Sequence, residues 1–156
     1  MAHHSARITW HRDPATGSFT RGQYSRAHTW QFDGGVSVPA SSSPGVVPLP
    51  WSDERAVDPE EAFVASLSSC HMLWFLSLAA DQGFTVDAYD DAAEGVMAKN
   101  AAGKLVISEV FLRPQVRFSG TPPTPDQHAT LHHAAHEACF IANSVLTTIH
   151  CDATIA

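Results

Sequence analysis

The stretch Asp58-Pro59-Glu60-Glu61-Ala62-Phe63-Val64-Ala65-Ser66-Leu67-Ser68-Ser69-Cys70-His71 decides how the rest of the 156-residue chain is read. It opens with the chemistry of a helix start. An aspartate at the N-cap accepts from free backbone N–H groups, a proline at the first helical position has no N–H to leave unpaired, and a glutamate at the third reaches back to the cap. Glu61 therefore has a local structural task, whereas Glu60 has none beyond favouring the helix dipole. Phe63, Leu67, Cys70, Trp74 and Ser77 follow at three- and four-residue steps, which predicts one core-facing stripe. The helix should run about six turns. Gly83, just after Asp81-Gln82, is its natural stop. The apolar run from Phe63 to Ala80 is long enough to raise the question of a membrane. Its serines, Cys70 and His71, with the capping signals ahead of it, predict a buried helix of a soluble protein instead.

Upstream, His28, Trp30 and Phe32 alternate along a strand that ends at the turn Asp33-Gly34-Gly35, with Arg7 to Trp10 as its earlier partner. The run from Pro39 to Pro50 reads as a loop, since proline lacks a donor and serine favours local turns. Downstream, Thr85–Ala98 and Lys104–Ser119 are predicted as two strands of an antiparallel hairpin turning at Asn100-Ala101-Ala102-Gly103. Thr124-Pro125-Asp126-Gln127 repeats the capping logic. Leu131, Ala135, Ala138, Ala142 and Val145 then form the stripe of a second helix, and Thr147–Ile155 closes the chain as a strand. The whole is expected to be one α+β domain over residues 1–156, with a β-ribbon and loop in 1–57 and helix, hairpin, helix and strand in 58–156.

A net charge of −7 with only nine lysines and arginines argues against nucleic acid as a partner. The N-terminus lacks the apolar segment of a secretory signal, so the expected location is the cytoplasm, off the membrane. Three widely spaced cysteines do not make a secreted disulfide framework. In a reducing compartment they persist as thiols unless chemistry oxidises them, so the question is which of them react.

Cys70 sits in an apolar stripe and by itself reads as a small buried hydrophobe. Cys139 lies in a more polar setting, with His132, His136 and Asn143 at offsets that share its helix face. A thiol acts as a nucleophile only as the thiolate, which calls for a nearby cation, best an arginine. The sulfenic acid formed on attack over-oxidises unless a second thiol captures it. Glu60 and Cys70 are ten residues apart, about 15 Å along one straight helix. If Glu60 serves the site, a partner subunit must supply one side of it. Two other readings stand beside this one. His132, His136 and Cys139 are spaced to ligate a metal, with Cys70 and His71 across from them. Alternatively, Trp51, Phe63, Met72, Phe75 and Phe140 line a pocket for an apolar ligand in a non-catalytic stress protein.

The segment Asp58 to His71 resembles the motif of the OsmC and organic-hydroperoxide-resistance family, in which Asn-Pro-Glu-Glu or Asn-Pro-Glu-Gln leads into a helix ending Ala-Cys. His136-Glu137-Ala138-Cys139 followed by Asn143 is similar to the second-cysteine helix of that family, and the order of elements matches over nearly the whole chain. The resemblance implies an OsmC-like fold of antiparallel sheets packed on two core helices in an intertwined homodimer. It further implies reduction of organic hydroperoxides to alcohols without a cofactor, Cys70 being the peroxidatic thiol, Cys139 the resolving thiol and Glu60 the residue that orients a catalytic arginine. A dithiol reductant, of an identity the sequence does not give, would recycle the disulfide. The arginine is Arg26 if it comes from the N-terminal ribbon and Arg55 if it comes from the loop before the helix. Arg26 is favoured, because it falls two residues before His28 on the face of Trp30 and Phe32, where a charge needs a carboxylate partner. Phe140 stands where the family commonly has proline. Trp51, Phe63, Met72 and Phe140 are the candidate substrate-binding residues, suited to a bulky organic peroxide, and Cys151 is an alternative resolving thiol.

Overall fold

The helix predicted from Asp58 forms there: α1 spans Pro59–Asp81 in the computed structural model, which describes residues 1–156. Its start is closed reciprocally. The Glu61 N–H donates to the Asp58 carboxylate at 2.7 Å, and the Asp58 N–H donates to the Glu61 carboxylate at 3.1 Å. Its end is closed at Gly83, whose φ of 80° is the left-handed turn that glycine takes without strain. The N–H groups of Gly83 and Phe84 there satisfy the carbonyls of Ala80 and Ala79, each at 2.9 Å.

Two compact units make up the chain, Met1–Ala62 and Phe63–Ala156, and α1 gives its first residues to one and the remainder to the other. The first unit carries an antiparallel sheet in the order β1 (Ala6–Thr9), β2 (His28–Phe32), β3 (Ser37–Ala40). The first two strands are the predicted ribbon. The third corrects the expectation of a loop from Pro39: Pro39 and Ala40 still belong to a strand, at the sheet edge, where a residue without an N–H is tolerated.

The second unit holds β4 (Thr85–Asp91), β5 (Glu94–Lys99), β6 (Leu105–Leu112), β7 (Pro114–Ser119), α2 (Pro125–Ala138), β8 (Thr148–Cys151) and β9 (Thr154–Ile155). The hairpin turns at Asn100–Gly103 as expected, but each of its arms is broken. β5 pairs with β6 in one sheet and β4 with β7 in another. The cause lies at the break itself. The Asp91 carboxylate accepts the Arg113 N–H at 2.6 Å, the Arg113 guanidinium reaches Glu94 at 3.0 Å, and Pro114 brings no N–H to a ladder. The predicted last strand divides in the same way, β8 running parallel to β6 and β9 parallel to β7.

Helix α2 opens with the predicted Thr124 and Gln127 capping box. It ends earlier than its apolar stripe suggests. Cys139 is already extended (φ −67°, ψ 112°), and Ala142–Ser144 form a short 3-10 turn rather than a further turn of α-helix.

Phe75 and Ala79 of α1 pack with Leu131 and Ala135 of α2 and Val116 of β7, while Leu67 packs with Val110 and Leu112 of β6. The buried stripe of α1 is therefore Leu67, His71, Phe75 and Ala79, not the one expected through Cys70, Trp74 and Ser77. α1 is apolar on every side, so periodicity could not select its core face. It is long and apolar enough to cross a membrane, with a mean hydropathy of 1.5 over an 18-residue window, of which 22% is buried within the chain. Phe75 is fully buried, and its ring stacks on His132 at 4.1 Å. Phe75→Ala is expected to destabilise the protein by about 3–5 kcal/mol in urea titrations. A loss below about 1 kcal/mol would contradict this packing.

Candidate active site

On the face of α1 beside the buried stripe, Cys70 is half-buried at a cleft of about 570 Å³. Ser66, Leu73 and Trp74 share that face, one turn before and after Cys70. Phe140 closes the other wall, packed edge-on against Trp74 with ring centres 5.4 Å apart. Cys139, at the end of α2, is only 1% exposed, and the Cys70 thiol is its neighbour. The Ala142 N–H also donates to its sulfur at 3.4 Å. Burial first, and then the contact with Cys70, push the Cys139 thiol up to about 11.

That shift has a measurable consequence. A thiol raised from 9.0 to about 11 holds on the order of a hundredfold less thiolate near neutral pH. Iodoacetamide at pH 8 should label Cys70 before Cys139. Labelling of Cys139 should rise about tenfold per pH unit toward pH 11. Equal labelling of both at pH 8, read by mass spectrometry, would contradict this arrangement.

Among the four residues expected to bind substrate, Phe140 lines this cleft. Phe63 instead packs against the cluster of Leu67, Val110 and Leu112. Met72 is half-buried outside the cleft lining, and Trp51 belongs to the other unit, where its carbonyl accepts the Arg26 N–H at 2.9 Å. Leu73 and Ile141 line the cleft without having been singled out from the sequence. For Leu73 the signal was present, three residues beyond Cys70 on one helix face.

The Met1–Ala62 unit contains a cleft of about 450 Å³ whose lining includes Trp10, Tyr24, Arg26, His28 and Glu60. The Arg26 guanidinium lies over the Tyr24 ring at 3.7 Å and donates to the carbonyls of Gly22 and Tyr24. The Trp30 indole N–H donates to His28 Nε2 at 2.8 Å, so His28 Nδ1 carries the proton it gives to the Arg26 carbonyl at 2.7 Å. The three ion pairs of the chain are Arg55 with Asp53, Arg113 with Glu94, and His150 with Glu109. Arg26 and Glu60 thus face one cleft, and neither is neutralised. Arg55 lies outside that lining, with its side chain 86% exposed and held by Asp53.

The triad considered as metal ligands, His132, His136 and Cys139, is not assembled. Cys139 faces Cys70, and His132 turns inward to His71 and His128. His71 and His132 are buried side by side, His71 Nε2 lying 2.9 Å from His132 Nδ1. Desolvation depresses His71 to about 4 and His132 to about 3, so both rings are neutral at physiological pH. Cys151 sits 3.7 Å from a nitrogen of each. This cluster joins residues 61 and 19 positions apart in the chain; His71 was expected across from His132, but local spacing gave no sign of Cys151.

The family model for OsmC-like protein matches residues 52–154. Among solved structures, an OsmC-like protein of unknown function from Vibrio cholerae is 57% identical, with a TM-score of 0.95 over 99% of this chain and 100% of that one. An OsmC-like protein from Mycoplasma pneumoniae gives a TM-score of 0.74 at 12% identity, covering 99% of this chain and 98% of that one. An organic hydroperoxide resistance protein from Elizabethkingia anophelis gives 0.68 at 15% identity, covering 100% and 96%. The last two show likeness of fold alone. No curated protein sequence matches the chain significantly. The α+β architecture of two helices and three sheets agrees with these neighbours, and the family match spans most of the sequence: the chain belongs to the OsmC-like family.

Proposed function

We propose that this protein is a cytoplasmic thiol peroxidase that reduces organic hydroperoxides to alcohols. The observation that carries the reading is a half-buried Cys70 at the mouth of an apolar cleft, with the Cys139 thiol in reach of it. The Cys70 thiolate attacks the distal oxygen of the hydroperoxide. The O–O bond breaks, the alkoxide leaves with a proton as the alcohol, and Cys70 becomes a sulfenic acid. Cys139 then displaces that hydroxyl as water and forms the Cys70–Cys139 disulfide, which an external dithiol reduces with two electrons and two protons.

Arg26 is the cation that stabilises the negative charge on the attacking sulfur and the leaving oxygen, and Glu60 orients it. Both face a cleft of the Met1–Ala62 unit, and Glu60 is ten residues from Cys70 along α1. Both facts support a homodimer in which the partner subunit supplies the Arg26 and Glu60 side. Leu73 of α1, an apolar side chain 61% exposed, also calls for such a cover. The walls of Trp74 and Phe140 favour a bulky apolar peroxide over hydrogen peroxide.

The test is peroxide consumption in the presence of a small dithiol. Cumene hydroperoxide should be consumed with a kcat/KM at least about tenfold above that for hydrogen peroxide. Equal rates would remove the substrate preference, and no turnover of either would remove the enzymatic reading.

A further inference from the structure

The buried cluster around His132, midway along α2, plays no part in the proposed peroxide chemistry, and its geometry is that of a ligand set. His71 Nε2, His132 Nδ1 and Cys151 Sγ all lie within 4.8 Å of one another. A tetrahedral zinc ion with Zn–N of about 2.05 Å and Zn–S of about 2.3 Å requires N–S edges of about 3.6 Å and an N–N edge of about 3.3 Å. Both N–S edges here are 3.7 Å, and the N–N edge is 2.9 Å. Seating an ion needs the two imidazoles to part by only about 0.4 Å. We propose that His71, His132 and Cys151 form a binding site for one zinc-class divalent ion, its fourth position open to solvent.

Four further observations support this assignment. As packing residues the two imidazoles are a poor choice, because His71 Nδ1 is buried without a hydrogen-bond partner. The hydroxyl of Tyr89, whose ring lies 6.4 Å from that of His132, is also buried and unpaired. His132 already has an outer partner, its Nε2 facing His128 Nε2 at 3.3 Å. Donation from His132 to His128 leaves Nδ1 with its lone pair toward the centre of the cluster, as orienting bonds around metal-bound histidines do. Finally, His132 and Cys151 line a cleft of about 590 Å³, shared with His128, His133 and His136, which gives an ion a path in and leaves room for a water ligand. On binding, the bond between His71 and His132 breaks, the His71 proton moves from Nε2 to Nδ1, and Cys151 loses its thiol proton to solvent. One proton is released per ion bound.

The experiment uses the full chain carrying Cys70→Ser and Cys139→Ser, so that Cys151 is the sole thiol. Cobalt(II) is titrated as a spectroscopic stand-in. The expected result is a near-ultraviolet thiolate-to-cobalt charge-transfer band that saturates at one equivalent, is displaced by zinc, and is accompanied by release of one proton. Adding Cys151→Ser should abolish the band and weaken zinc binding at least about tenfold. Absence of the band overturns the proposal without reference to that last variant, so a folding defect in it cannot obscure the answer. Zinc binding left unchanged by His132→Gln, in protein that keeps its far-UV spectrum, also overturns it, because the ion would then sit on exposed histidines.

Discussion

Cys70→Ser is expected to abolish hydroperoxide consumption, lowering kcat/KM by on the order of a thousandfold or more. The substitution exchanges sulfur for oxygen at a half-buried position on the cleft face of α1, where Leu67, His71, Phe75 and Ala79 carry the packing instead. Stability should accordingly change by less than about 1 kcal/mol. Cys139→Ser should behave differently. The first turnover survives, since the attacking thiol is intact, but the sulfenic acid has no captor and Cys70 over-oxidises under repeated peroxide. Rapid-quench turnover of the two variants separates these outcomes. Equal loss of the first turnover in both would refute the division of roles.

The second large effect is expected at Arg26. Arg26→Gln removes the unneutralised cation of the cleft that also holds Glu60 and should lower kcat/KM by on the order of a hundredfold. Arg55→Gln should change it by less than about twofold, because that side chain is exposed and bound to Asp53. The reverse ranking of the two arginines would move the catalytic role to the loop before α1.

Where the fold was legible in the sequence, a local device wrote it. Asp58, Pro59 and Glu61 announce the start of α1, Gly83 its end, and Thr124 with Gln127 the start of α2, because each satisfies or releases backbone groups within a few residues. Where the reading failed, the deciding interaction was distant or the signal was flat. The core face of α1 went to His71 and Phe75 instead of Cys70 and Trp74, since a helix apolar all round carries no phase. The breaks at Asp91 and Arg113 depend on a bond across 22 residues. The end of α2 at Ala138 has neither glycine nor proline to mark it. For the candidate site, the capping chemistry left Glu60 free, and the spacing of Arg26 from His28 marked it as a charge in need of a partner. The contact of Cys70 with Cys139 could be named only through resemblance, because no periodicity relates residues 69 positions apart. Leu73 and Trp74 follow Cys70 on one helix face, whereas Ile141 needed the three-dimensional cleft.

The most direct measurement is disulfide mapping by mass spectrometry on the reduced protein after one equivalent of cumene hydroperoxide. The account predicts a Cys70–Cys139 disulfide as the dominant product, with Cys151 still a thiol; a Cys70 that stays reduced while the peroxide is consumed, or a disulfide that engages Cys151, would contradict it.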